Sequence, residues 1–157
     1  MRRLHKTLIF CASIATTALC ALPLMSTHLS GGESCTMVIR GFNLMEFSAR
    51  GCVPLFAALL IPMILFGCQS KTSKEAELLL LVVINLTCFV HGINASHEWI
   101  HSLNGSLLTY YSGMMIYPCA FIATWVLAWI CNRGGENKTG FGKYEEALNE
   151  QSGVFLP

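Results

Sequence analysis

The stretch LLLLVVI, residues 78–84, decides the fold, because seven consecutive aliphatic residues leave no polar face for a soluble helix or strand. It belongs to an apolar run over about 76–93, which is long enough for a helix to cross the ~30 Å hydrocarbon core of a bilayer. Within lipid, such a run satisfies its own backbone hydrogen bonds only as a helix. The sequence therefore predicts a transmembrane helix here.

Three further apolar runs of similar length occur at about 8–25, 51–67 and 112–131. The composition agrees with them, since 54% of the 157 residues are hydrophobic and only 12% are charged. A soluble domain carries about 25% charged residues. We expect an all-α integral membrane protein in which four transmembrane helices form an antiparallel bundle within residues 1–131. Residues 132–157 are expected to form a flexible cytoplasmic tail.

The basic residues predict the orientation of the chain. With the N-terminus inside, eight of the ten Lys and Arg residues fall on the cytoplasmic side. The eight are Arg2, Arg3, Lys6, Lys71, Lys74, Arg133, Lys138 and Lys143, and the two outside are Arg40 and Arg50. This asymmetry follows the positive-inside rule, so both termini are expected in the cytoplasm, in a plasma membrane or a bacterial inner membrane. The net charge of +1, without a basic block, argues against nucleic acid as a partner.

Two other interpretations of the apolar runs would remove helices. The basic start followed by residues 8–25 is typical of a secretory signal peptide, but Leu22-Pro23-Leu24 offers no small-residue cleavage site. The sequence LFGC, residues 65–68, is similar to a bacterial lipoprotein box, but it lies far from the N-terminus. Four spans therefore remain the expected organisation.

The most specific local pattern is HEWIH, residues 97–101, which has the spacing H-E-x-x-H. On a helix, His97 and His101 lie one turn apart on one face and can share a Zn²⁺ ion. Glu98 can then act as general base on a metal-bound water. A third ligand must come from the same predicted side of the membrane, where the candidates are His91, His28, Glu33, Glu46 and Cys35. The site hypothesis places a metal at His97, His101 and His91, with Glu98 catalytic.

The residues around this motif predict a short helix of its own. Ser96 is suited to an N-cap and Asn104-Gly105 to a stop, which gives a helix of about two turns in an outer loop over 94–108. In the preferred, non-catalytic interpretation, Trp99 and Ile100 dip into the headgroup region while the polar side chains stay in water.

The motif resembles the active-site signature of the zincin metalloproteases and of membrane-embedded zinc proteases. That resemblance implies that His97 and His101 are zinc ligands and that Glu98 is the catalytic base. It covers five residues of 157, and no further His or acid follows at a zincin spacing.

Polar residues within the spans are few. Asn85 is the most polar residue of the third run and is expected to hydrogen-bond to a neighbouring helix. No span carries a charged residue at its centre, which argues against an ion-coupled transporter. The eight cysteines are expected to be free thiols for the most part, although Cys35 and Cys52 share the outer side and could form a disulfide.

The four-span layout is similar to that of claudin-like and tetraspanin-like proteins, but the loop motifs of neither family are present. The leading hypothesis is a non-enzymatic membrane protein with a structural, accessory or partner-binding role. Its partners would be the lipid bilayer and either further copies of itself or other membrane proteins, and no cofactor is expected. The first alternative is a zinc-binding protein or metallohydrolase centred on residues 97–101. The second is a small transporter or channel component.

Overall fold

The computed structural model describes residues 2–31, 33–67, 70–103 and 106–134. In chain order the elements are α1 (Arg2–Ala18), β1 (Pro23–Gly31), β2 (Glu33–Arg40), α2 (Leu44–Phe47), α3 (Cys52–Phe66), α4 (Lys71–Ser102), β3 (Ser106–Tyr110) and α5 (Gly113–Arg133). Single turns of 3₁₀ helix precede α2 and α3 and follow α1. Within the described residues, α1, α3, α4 and α5, with their flanking turns, are long and apolar enough to cross a membrane.

The four long helices alternate in direction. One buried apolar cluster joins the first half of α1 and of α4 to the last half of α3 and of α5, through residues such as Ile9, Leu78, Leu65 and Ala128. A second cluster joins the opposite halves to the strands. We call the end where α1 and α4 begin the basic end, because it carries Arg3, Lys6, Lys71, Lys74 and Arg133. The opposite end, which carries the strands, is the sheet end.

The prediction of an all-α fold is confirmed only in part. The described chain is mostly helical and has the four long apolar helices, but the sheet end also contains a three-stranded antiparallel sheet in the order β2-β1-β3. The sheet adds Leu24, Met25 and Ile39 to the second apolar cluster. These residues lie in a segment that we expected to be partly helix and partly loop. Gly31 and Glu33 are the last register partners of the β1–β2 pair, and Gly32 lies outside the described residues.

The first helix is correspondingly shorter at its C-terminal end than the predicted span 8–25. It ends at Ala18, and one 3₁₀ turn reaches Ala21. Leu22 is extended, with φ −67° and ψ 145°. The ring of Pro23 disfavours a helical conformation for the residue before it, so an extended strand follows.

The third helix is longer than predicted at both ends. α4 has 32 residues, about 48 Å of helix, and so exceeds a ~30 Å hydrocarbon core by roughly 18 Å. It begins where the Ser70 side chain accepts a hydrogen bond from the backbone N–H of Ser73 at 3.3 Å. The predicted separate helix around residues 97–101 is wrong, because this segment forms the last turns of α4. Ser96 is an interior position rather than an N-cap, and its hydroxyl donates to the Ile93 carbonyl at 2.7 Å.

The second and fourth spans, predicted at 51–67 and 112–131, agree with α3 and α5 to within about two residues at each end. The expected stop at Asn104-Gly105 and the tail beyond Gly134 lie outside the described residues.

Candidate functional site

A buried polar cluster joins three of the long helices and the turn after α1. The Tyr117 hydroxyl of α5 donates a hydrogen bond to the Pro54 carbonyl of α3. The same hydroxyl accepts from Nδ2 of Asn85 on α4 at 3.1 Å. The Cys20 thiol also approaches the Pro54 carbonyl, at 3.8 Å. As predicted, Asn85 hydrogen-bonds to another helix, and both Asn85 and Tyr117 are fully buried.

This cluster fixes the height of α4 relative to α3. Pro54 lies in the first turn of α3, so Asn85 is level with the sheet-end start of that helix. At 1.5 Å per residue, His97 lies about 18 Å further along α4. The last turns of α4 therefore extend past the start of α3. There α2 and the 3₁₀ turn before α3 pack against α4, and Phe47 of α2 lies against Trp99.

The structure brings together two of the three predicted metal ligands. The imidazole rings of His97 and His101 have centroids 4.8 Å apart and an interplanar angle of 55°. His97 is half-buried, while His101 and the proposed base, Glu98, are exposed. This pair could hold a metal ion from one side, leaving the other half of a tetrahedral site to further ligands.

The third predicted ligand, His91, does not join them. It lies six residues before His97, about 9 Å nearer the basic end along the helix axis, and on a different face of α4. Within the described residues, no three His, Cys, Asp or Glu side chains are grouped as a metal site.

The other candidate ligands make local contacts. A ring nitrogen of His28 lies 3.2 Å from the Thr36 hydroxyl, and Glu46 accepts a hydrogen bond from Asn43 at 2.9 Å. Cys35 is an exposed free thiol. The side chain of Glu33 lies outside the described part of the structure.

The two apolar residues of the motif anchor the end of α4 to the sheet end. Ile100 is 1% exposed and packs in the second apolar cluster. Trp99 lies against Phe47 of α2, with ring centroids 5.2 Å apart. The expectation that Ile100 dips into lipid headgroups is therefore wrong, because the protein interior already covers it.

Sequence reasoning missed a lateral groove on α4. It is lined by Val83, Ile84, Thr87, Cys88 and His91 of that helix and by Arg50 from the turn before α3. The spacing i, i+1, i+4, i+5, i+8 shows that the five helix residues share one face, and this pattern was visible in the sequence. The contribution of Arg50 was not visible, because it depends on how the turn before α3 packs against α4.

The structure has both Cys35 and Cys52 as free thiols. The Cys52 thiol donates to the Ala49 carbonyl at 2.9 Å, which places it within its own turn. The structure does not join these two cysteines, so the alternative of a disulfide between them gains no support from it.

No protein-family model matches the chain, and no curated protein or solved structure matches it. The function is therefore inferred from the residues and from their geometry.

Proposed function

We propose that this chain is a non-enzymatic integral membrane protein that crosses the bilayer through α1, α3, α4 and α5 and binds a protein partner at its sheet end. The lipid-facing surface supports the membrane placement. Large apolar side chains are exposed on all four helices, for example Phe10, Met63, Leu80 and Ile130. A soluble protein would have to cover such a surface, whereas lipid covers it without cost.

The charge asymmetry supports a cytoplasmic basic end. Among the described residues, Arg40 and Arg50 are the basic residues of the sheet end, and the other described Lys and Arg residues lie at the basic end. At the basic end, Arg133 pairs with Glu75 at 3.3 Å and stacks its guanidinium on the Trp129 ring, 4.2 Å from the ring centroid. Such basic and aromatic pairs are typical of the membrane–water interface on the cytoplasmic side.

The observation that carries the partner-binding role is the free edge of β2. This strand has eight residues and pairs with β1 on one side, and no described strand pairs with its other side. Pro and charged side chains commonly protect an edge. This strand contains no Pro or Lys, and its two charged residues, Glu33 and Arg40, stand at its two ends. Thr36 and Val38 on this strand are exposed. An edge of this kind offers backbone donors and acceptors to another strand.

The partner that fits this edge is a second copy of the chain. An antiparallel strand edge is self-complementary about a two-fold axis, so β2 of one copy can pair with β2 of another without any further recognition element. Pairing would extend each sheet from three to six strands and would cover the exposed Val38 side chain.

The test is energy transfer between donor- and acceptor-labelled copies reconstituted in liposomes. We expect transfer for the wild type and about tenfold weaker association for Thr36→Lys/Val38→Lys, because like charges would face each other across the new strand pair. The matched control is Met45→Lys/Thr109→Lys, which places the same charges on exposed positions of α2 and β3. Energy transfer absent in the wild type, or reduced equally in both variants, would overturn pairing through β2.

A second candidate function, binding of a metal ion, is favoured by the 4.8 Å separation of the His97 and His101 rings. The pair is accessible at the sheet end and has the imidazole chemistry that Zn²⁺ and Cu²⁺ prefer. Its test is described in the Discussion.

A further inference from the structure

We propose that the groove between Arg50 and α4 binds one phospholipid with an anionic headgroup. The part of the groove nearer the sheet end, which we call its upper part, is polar and is formed by Arg50 and His91. The part nearer the middle of α4, its lower part, is apolar and is formed by Val83 and Ile84. This arrangement matches the two chemical parts of a phospholipid. The inference rests on the membrane placement proposed above and is independent of pairing through β2.

The depth of the groove agrees with this occupant. Asn85 is level with the first turn of α3, and Arg50 directly precedes that helix. His91 lies six residues, about 9 Å, above Asn85. If α3 spans the hydrocarbon core, Arg50 and His91 lie at headgroup height, and Val83 and Ile84 lie at the height of the first acyl carbons.

The charge of the upper end selects an anion. No described carboxylate lies within salt-bridge distance of the Arg50 guanidinium. A guanidinium can donate two parallel hydrogen bonds to a phosphate, and such bonds are shorter and stronger than those between neutral groups. His91 is exposed beside it and offers a further ring nitrogen. The phosphate of the lipid would thus meet a guanidinium that no carboxylate of the described residues pairs with.

The size of the groove fits part of a lipid rather than a whole soluble ligand. Its volume is about 230 Å³, below the range of roughly 300–1,000 Å³ found for pockets that enclose drug-sized molecules. It is open along one side, and Val83 is 55% and Ile84 41% exposed. The acyl chains of a bound phospholipid would contact neighbouring lipids along this open side. A soluble ligand in the same place would instead have its own polar surface in contact with the bilayer.

The experiment is native mass spectrometry of the full chain released from detergent micelles, titrated with phosphatidylglycerol, phosphatidylcholine or diacylglycerol. We expect one phosphatidylglycerol per chain, retained in preference to the other two. Arg50→Gln should weaken phosphatidylglycerol binding about tenfold. Arg40→Gln is the matched control, since Arg40 is the other exposed basic residue of the sheet end outside the groove, and it should leave binding unchanged.

A third variant tests the apolar end of the groove. Ile84→Trp should fill it and reduce phosphatidylglycerol binding while Arg50 remains in place. Thermal unfolding of each variant identifies any loss that comes from misfolding, which is not expected at these exposed positions. Equal retention of diacylglycerol and phosphatidylglycerol, or equal losses in Arg50→Gln and Arg40→Gln, would overturn the site. The maleimide-labelling experiment in the Discussion tests the membrane placement separately.

Discussion

The amide of Asn85 donates to the hydroxyl of Tyr117 across 3.1 Å, and that hydroxyl in turn donates to the backbone of Pro54. One side-chain pair thereby ties α4 and α5 to the first turn of α3. Tyr117 also stacks on Phe89 and Phe121, with ring centroids 5.2 and 6.3 Å away. The apolar stack holds the phenol in place, and the hydrogen bonds fix the relative height of the three helices.

Removing the hydroxyl should therefore be costly. Tyr117→Phe leaves the Asn85 amide buried without this partner, and we expect a loss of about 1–3 kcal/mol in the free energy of unfolding. Replacing both residues, Tyr117→Phe with Asn85→Leu, should recover part of that loss, because no unpaired amide remains. Chemical unfolding in mixed micelles measures both values. Additive losses in the double variant would show that the two side chains are not coupled.

A second polar link offers a comparison of the same kind. The hydroxyls of Thr16 on α1 and Thr124 on α5 lie 2.8 Å apart in the interior. We expect Thr124→Val to cost about 0.5–1.5 kcal/mol, less than Tyr117→Phe, because Thr16 has other backbone carbonyls within its own helix to which it can turn. The same unfolding titration checks this order. A larger cost for Thr124→Val would contradict the assignment of Tyr117 as the main link.

Two glycines at the sheet end lie against backbone atoms, so we expect substitutions there to destabilise the protein by steric overlap. A β-carbon on Gly51 would lie 2.2 Å from the Leu44 carbonyl oxygen, and one on Gly113 would lie 2.3 Å from the Pro23 carbonyl oxygen. Backbone atoms cannot rotate away, so Gly51→Ala and Gly113→Ala should each destabilise the protein by about 1–3 kcal/mol. Gly134→Ala is the control, since its nearest atom would be 3.3 Å away. Thermal unfolding of the three variants should separate the first two from the third.

The long helices were predictable, whereas the elements that join them were not. A run such as LLLLVVI at 78–84 is too apolar for anything but a buried or lipid-covered helix, so the long apolar helices follow from composition. The residues just after α1 are equally apolar, and Leu24 and Met25 enter the sheet because β2 and β3 are available to pair with them. The glycine pair at 31–32 between two strand-like segments was the local signal of a hairpin.

The candidate sites were likewise predictable only where they depend on spacing within one helix. The His97–His101 pair follows from helical spacing alone, and the structure brings it together. The absence of His91 from that pair follows from α4 being one continuous helix, which the sequence around Ser96 did not indicate. The groove needs Arg50 and His91 to approach each other, although they are far apart in the chain and lie on separate elements.

The orientation can be tested with a membrane-impermeant maleimide on intact cells. Cys35 is exposed at the sheet end, and Thr72 is exposed at the basic end. We expect Cys35 to be labelled without permeabilisation, and a Thr72→Cys variant to be labelled at that position only after it. Peptide mass mapping identifies the labelled position, and Cys35→Ser is the control for the first signal. The reverse pattern would place the basic end outside, and labelling of both positions in intact cells would rule out four spans.

The metal hypothesis makes a stoichiometric prediction. His97 and His101 supply two imidazoles, and a stable structural zinc site needs about four protein ligands. On the metal hypothesis further ligands complete the site around this pair, so we expect detergent-purified protein to carry about one zinc per chain. The His97→Ala/His101→Ala variant should lose that zinc.

The measurement is metal analysis of both proteins after dialysis in metal-free buffer, and again after dialysis with added Zn²⁺. One zinc per chain in the wild type, lost in the double variant, would make metal binding the leading function, whereas no zinc in either protein would overturn the metal hypothesis. Glu98→Gln would then be the variant to compare for hydrolysis, because it keeps the exposed side chain and both imidazoles but removes the base. Glu77→Gln, on the same helix at the basic end, is its matched control.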